Sequence, residues 1–201
     1  MKFNIDKEFI SNTVKNSSKL YKVYKIPKKN KGFRLIAQPS PILKTLQYWL
    51  IYNLFCFLPI SEYAKAYGKG CSIKRNAESH LNCKHILHSD IKSFFETIDK
   101  NHIKELLLKN ESILKRIKID KDDFEDIYNI CLYKGSLTIG SVSSPIISNC
   151  VMYDFDKEIS ATIPRDITYT RYADDMIFSS DRYIDGQIIN KLSNTLKKYR
   201  F

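Results

Sequence analysis

A chain of 201 residues with 43% hydrophobic content suits one large or two small domains with a real core, which excludes a disordered chain. Lysine and arginine number 33 against 22 acids, a net charge of +11 that favours a polyanionic partner through phosphate neutralisation and counterion release. An anionic membrane would offer the same attraction, but the opening Met1–Asp6 reads as neither a signal peptide nor a basic amphipathic anchor.

The first twenty residues are polar, with Asn, Ser and Lys clusters, and predict a helix packed loosely on the body. Residues 21–37 have a hairpin pattern around Lys28–Gly32, where Asn30 and Gly32 suit the turn. The most apolar stretch is Pro41–Ile60. Ser40 can cap it, Pro41 suits a first helical turn, and Lys44, Gln47 and Asn53 interrupt the apolar run, so a buried helix is expected there rather than a membrane span. Lys84–Asp90 reads as a short strand ending in a carboxylate, and Asp99 as the N-cap of a helix from Lys100 to about Lys109.

Farther on, residues 120–133 carry Phe124, Ile127, Tyr128, Cys131 and Leu132 at helical spacing, with Asp120 as cap. Ser144 and Pro145 open a helix to about Ile159. Ile167–Phe178 is β-branched and aromatic on both sides of Tyr172-Ala173-Asp174-Asp175, a pattern of two short strands and a tight turn with the acids at its tip. The last helix starts near Asp185 and carries Ile188, Ile189, Leu192 and Leu196. Helices alternating with short strands around a central hairpin predict an α+β fold. Five cysteines without zinc-ligand spacing, in a chain lacking a secretory signal, read as reduced cytosolic thiols, and the expected location is cytoplasmic.

Adjacent carboxylates at a hairpin tip repel each other, and divalent cations remove that penalty. Most Asp-Asp pairs are solvated turn residues, and Asp90 alone reads as a helix-entry or turn aspartate. Asp90 and Asp174 are 174 − 90 = 84 residues apart, so only the fold could bring them together. On neighbouring strand ends, Asp90, Asp174 and Asp175 would hold two Mg²⁺ ions about 3.5–4 Å apart, the geometry of in-line phosphoryl transfer.

The order Asp90-x-x-x-x-Phe95, Gly140-Ser-Val-Ser-Ser-Pro145 and Tyr172-Ala-Asp-Asp175 resembles motifs A, B and C of a reverse transcriptase. More narrowly it resembles the bacterial retron enzymes, whose Asn-Ala-x-x-His signature matches Asn76-Ala77-Glu78-Ser79-His80. Tyr24–Pro39 resembles their fingers segment, and the similarity runs from about Tyr21 to Asp181. The resemblance implies an α+β right-hand polymerase, fingers and palm, with an antiparallel palm sheet packed on helices. Residues 1–89 would be an N-terminal helix and fingers, and 90–201 mainly palm with a fingers-type insertion around 110–135. The thumb of that family, with its Val-Thr-Gly element, has no counterpart in residues 1–201, through a truncated or a naturally shortened chain.

The resemblance also implies an RNA-directed DNA polymerase using two Mg²⁺ ions, with Mn²⁺ as a substitute. Asp90 and Asp174 would bridge the ions, Asp175 would support one, and the Ile91 carbonyl would add a ligand. Arg34, with Lys28 or Lys29, would meet the nucleotide triphosphate, and Phe95 would exclude ribonucleotides. Gly140 would pass close to the templating base pair. Here Leu137-Thr-Ile-Gly140 departs from the common Leu-Pro-Gln-Gly, so Ile139 lacks the usual amide. Lys69, Lys74 and Arg75 suit a phosphate backbone, and Asn76 and His80 are associated with the structured RNA in this group, a satisfied core role being the other reading of His80.

The implied partners are deoxynucleotides, a structured noncoding RNA serving as template and primer, its DNA product joined through a 2′-hydroxyl, and an effector protein in antiphage defence, with no membrane. The readings from other classes are an inactive RNA-binding or scaffold fragment, and a group II intron or abortive-infection reverse transcriptase, which Asn76-Ala77-x-x-His80 disfavours.

Overall fold

The computed structural model describes residues 7–28 and 32–201. In chain order its elements are α1 (Lys7–Lys15), β1 (Tyr21–Pro27), β2 (Phe33–Pro39), α2 (Pro41–Asn53), α3 (Ile73–Glu78), β3 (His85–Asp90), α4 (Phe94–Thr97) and α5 (Lys100–Lys109). There follow α6 (Glu111–Arg116), α7 (Phe124–Cys131), α8 (Ser144–Val151), α9 (Tyr153–Thr162), β4 (Thr168–Tyr172), β5 (Asp175–Ser180) and α10 (Gln187–Lys198). They form two compact units: the described residues up to Leu58 with Ile98–Ile147, and Pro59–Thr97 with Ser148–Phe201.

This division differs from the expected one at residues 89 and 90. Pro59–Ser89 packs with the later strands, because the Lys65 N–H donates to the Arg171 carbonyl and the Tyr63 carbonyl accepts from the Arg171 N–H. Conversely Ile98 belongs with the first unit, where its carbonyl accepts from the Leu137 N–H. The insertion expected around 110–135 lies in that unit too, within a longer segment.

In the first unit β1 and β2 pair antiparallel from Tyr21↔Pro39 to Pro27↔Phe33, as the hairpin pattern predicts. Ser40 caps α2 by accepting from the Leu43 N–H, and Pro41 stands in its first turn. The helix ends at Asn53, short of the expected Ile60, and a 3₁₀ turn follows over Phe55–Phe57. Gln47 interrupts the apolar pattern of α2 and is fully buried. Its amide donates to the Ile130 carbonyl (2.9 Å) and the Tyr21 hydroxyl (3.1 Å), and its oxygen accepts from the Val142 N–H (3.3 Å). A single side chain thus ties α2 to β1, α7 and the loop after Gly140.

Asp99 caps α5 as expected, and His102 completes a capping box by returning to the Asp99 N–H. The α7 helix starts at Phe124 rather than Asp120. Asp123 accepts from the Asp120 N–H (2.9 Å), which folds 120–123 into a turn ahead of the helix.

The second unit is built on an antiparallel sheet in the order β3-β5-β4. Its central strand carries Met176 and Phe178, both without exposed surface. The helix expected from Ser144 to Ile159 is two helices, parted at Met152, whose backbone (φ −78°, ψ 0°) leaves the helical region. The apolar period runs on through the break, so pattern alone reads it as continuous. Helix α10 buries Ile188 and Leu192, one turn apart, and leaves Ile189 outside. Among the described residues no helix is long and apolar enough to cross a membrane, and all five cysteines are free.

Candidate active site

Strands β4 and β5 pair up to Tyr172↔Asp175, which leaves Ala173 and Asp174 as a two-residue loop. Of these two only Ala173 has positive φ (+60°), the pattern of a type II′ hairpin turn, whose first loop position normally takes glycine. The strands twist correctly through such a turn, but an alanine there is strained. On the other side of β5, the pairing Asp90↔Asp175 ends strand β3. Directly opposed residues have Cβ atoms roughly 4.5–5.5 Å apart, so both carboxylates rise from one face at one end of the sheet. The next amide, Ile91 N–H, donates to the Asp174 carbonyl (3.1 Å), which brings the third acid alongside.

The backbone therefore gathers Asp90, Asp174 and Asp175 as their pattern predicts. The side chains do not yet converge: among the described residues no three His, Cys, Asp or Glu groups are placed to hold one ion. Asp175 Oδ1 instead bonds His88 Nε2 at 2.9 Å. Asp90 is exposed, and Asp174 and Asp175 are half-buried. Hard carboxylate oxygens of like charge on opposed strand ends suit a divalent cation. The set fits Mg²⁺ or Mn²⁺. Ile91 is buried, and its N–H serves the turn.

Phe94 and Phe95 differ in burial. Phe94 is buried, whereas Phe95 is half-exposed, with its ring 5.7 Å from Phe94 and 6.5 Å from Tyr67. Arg34 projects from β2 as an exposed residue opposite Ile26. Lys28 is exposed, its N–H donating to the Gly32 carbonyl, and Lys29 lies outside the described residues. Gly140 has φ +108°, and a Cβ on it would sit 2.9 Å from the Ala37 carbonyl oxygen. Glycine is needed here for a close approach to β2, where the Ala37 N–H also bonds the Ile139 carbonyl. Gly140→Ala should cost at least about 1 kcal/mol, a Tm drop of roughly 2–4 °C in thermal melts.

Lys69, Lys74 and Arg75 are exposed, and Arg75 packs its guanidinium against Gly70. Asn76 and His80 differ from the RNA-facing expectation, because both are buried. Thr170 gives its hydroxyl proton to Asn76 Oδ1 (2.7 Å), so it accepts from His80 Nε2 (2.6 Å), and His80 Nδ1 then accepts from the Ser179 hydroxyl (2.6 Å). The signature fastens the segment around α3 to β4 and β5 with a neutral imidazole.

Burial, with the charge of Lys65, lowers the His80 pKa. The unfolded chain therefore takes up a proton at higher pH than the native one. Stability is complete above about pH 6.5 and declines as the pH falls below it. Melting curves between pH 5 and 7.5 should show that decline, and His80→Gln should flatten it.

A family model described as "Reverse transcriptase (RNA-dependent DNA polymerase)" matches residues 26–201. The chain belongs to the reverse transcriptase family. The resemblance to retron enzymes is matched by relatives. Retron Ec83 reverse transcriptase of Escherichia coli is 38% identical over 191 residues, 89% of this chain and 59% of that protein. Retron Ec73 reverse transcriptase of the same species is 35% identical over 80% of this chain and 53% of its own length. Retron Mx162 reverse transcriptase of Myxococcus xanthus is 31% identical, covering 79% and 35%. The chain spans about half the length of the E. coli relatives it matches. A solved apo telomerase from Candida tropicalis, truncated from its C-terminal domain, shares the fold with TM-score 0.53 at 15% identity, over 94% of this chain and 51% of that one.

In this reverse transcriptase chain three residues near the acids escaped the sequence reading. His88 stands two residues before Asp90, hence on the same strand face, which was a usable signal. Arg171 and Tyr169 share the opposite alternation in β4, and both bond Asp156 of α9. A charged residue inside a strand of otherwise uncharged residues, Thr168–Tyr172, was the clue. Its buried partner, 15 residues earlier, had none.

Proposed function

We propose that the chain is the fingers and palm of a retron RNA-directed DNA polymerase, which copies part of a cognate structured noncoding RNA into DNA. The observation that carries this reading is the register Asp90↔Asp175, 175 − 90 = 85 residues apart, beside the Ile91–Asp174 hydrogen bond at the same sheet end. Two bound Mg²⁺ ions would there lower the pKa of the primer hydroxyl and neutralise the triphosphate. Asp90 and Asp174 would hold both ions, Asp175 one of them, and the Ile91 carbonyl would complete the set.

Arg34, with Lys28 or Lys29, offers phosphate oxygens a guanidinium fork and a point charge. Lys69, Lys74 and Arg75 supply backbone contacts to RNA, and Asn76 and His80 serve that element from within. The retron likeness adds a 2′-hydroxyl primer, a branched RNA–DNA product and an effector partner in antiphage defence.

Phe95 is the proposed gate against ribonucleotides, since a ring against the sugar C2′ leaves a 2′-hydroxyl neither space nor a hydrogen bond. Phe95→Ala should lower deoxynucleotide preference by roughly 100-fold in single-nucleotide incorporation, the scale at which an apolar pocket rejects an added hydroxyl. Unchanged preference would remove the gate from the proposal. The reading as a whole is tested by primer extension on an RNA template with Mg²⁺ and deoxynucleotides. Extension that stops with EDTA is expected; a chain that binds RNA and never extends a primer would favour a scaffold.

A further inference from the structure

Arg171 lies one residue before the Tyr172-Ala-Asp-Asp175 run and has no exposed surface. Its guanidinium donates Nε to Asp156 Oδ1 (2.8 Å) and Nη2 to Asp156 Oδ2 (2.8 Å), a bidentate buried pair. Nη1 donates both to Asn149 Oδ1 (3.2 Å) and to the carbonyl oxygen of Ala173 (2.9 Å). Every nitrogen of the fork is engaged. The partners are themselves fixed: Asp156 Oδ1 accepts from the Tyr169 hydroxyl (2.8 Å), and the Asn149 amide donates to the Ala66 carbonyl (2.9 Å).

The group so clamped is the left-handed alanine of the hairpin loop. An alanine held at φ +60° is strained, and the strain persists only where surroundings over-determine it. A turn relaxing at Ala173 would carry the following residue, Asp174, away from Asp90. We infer that Arg171 is a positioning residue, whose buried fork holds the Ala173 carbonyl and thereby the strained turn that presents Asp174. The catalytic meaning of this clamp rests on the polymerase reading above; the clamp itself does not.

The Ile91 amide, bonded to the Asp174 carbonyl, reports on the turn, and the amides of β5 report on the whole sheet. Arg171→Lys keeps a cation beside Asp156, but one ammonium cannot serve both carboxylate oxygens, Asn149 and Ala173 together. Residue-resolved hydrogen exchange on the chain should show Ile91 exchanging about tenfold faster or more, with β5 scarcely altered. Adding Ala173→Gly should return slow exchange at Ile91, because glycine adopts positive φ unaided.

Should Arg171→Lys fail to fold, Arg171→Gln with Asp156→Asn leaves no unpaired buried charge and is read in the same way. Exchange that rises equally at Ile91 and along β5, or that Ala173→Gly does not slow, overturns the inference. Exchange needs no DNA synthesis, so failure of the polymerase reading and failure of the clamp are told apart.

Discussion

Asp174→Asn should abolish RNA-templated DNA synthesis, by on the order of 10³-fold or more, while leaving the fold and its melting temperature intact. The substitution keeps the size and shape of the side chain, removes its charge and turns one acceptor oxygen into an N–H donor. The Asp174 backbone contact with the Ile91 N–H does not depend on the side chain, so the turn should persist. What is lost is an anionic oxygen beside Asp90 and Asp175, where the proposed function puts the divalent cations. Circular dichroism and single-turnover primer extension, run on the same preparation, separate the two effects. Normal extension by Asp174→Asn would remove the acid set from the account.

Asp156→Ala carries the largest expected effect on stability. It leaves Arg171 wholly buried with no counter-charge and also takes the acceptor from the Tyr169 hydroxyl. Breaking a buried pair from one side costs about 3–5 kcal/mol, because the remaining charge stays desolvated and unpaired. Against a typical total of roughly 5–15 kcal/mol, that is a large share. For a chain of this size it corresponds to a Tm lower by roughly 6–20 °C, measurable by calorimetry. A shift of less than a degree or two would mean that water reaches Arg171 in the native state.

The elements most legible in sequence were those where a local pattern and a terminal signal agree. The hairpins at Tyr21–Pro39 and Thr168–Ser180, the capped helices after Ser40 and Asp99, and the strand ending at Asp90 all lie where period, cap and turn residues place them. Boundaries failed where one signal stood alone. Asp120 is a cap by type, yet Asp123 takes up its N–H and the helix waits until Phe124. The α8–α9 break at Met152 has no glycine or proline to announce it.

The site followed the same division. The acids were readable because adjacent like charges at a strand end are costly without a counter-ion. Buried polar residues were not, since Arg171, Asp156 and Gln47 acquire their meaning from partners remote in sequence. Asn76 and His80 stand out as a motif, and of the two readings open for His80 the satisfied core role is the one its burial matches, because spacing tells which residues share a face and not what covers it.

The central claim is that Asp90, Asp174 and Asp175 together hold divalent cations. The most direct measurement is anomalous scattering from crystals of the chain soaked with Mn²⁺ and a deoxynucleoside triphosphate. The account predicts manganese at the end of β3 and β5, bound by oxygens of Asp90 and Asp174. Saturating manganese that leaves those carboxylates uncoordinated, or that binds only elsewhere on the chain, would contradict it.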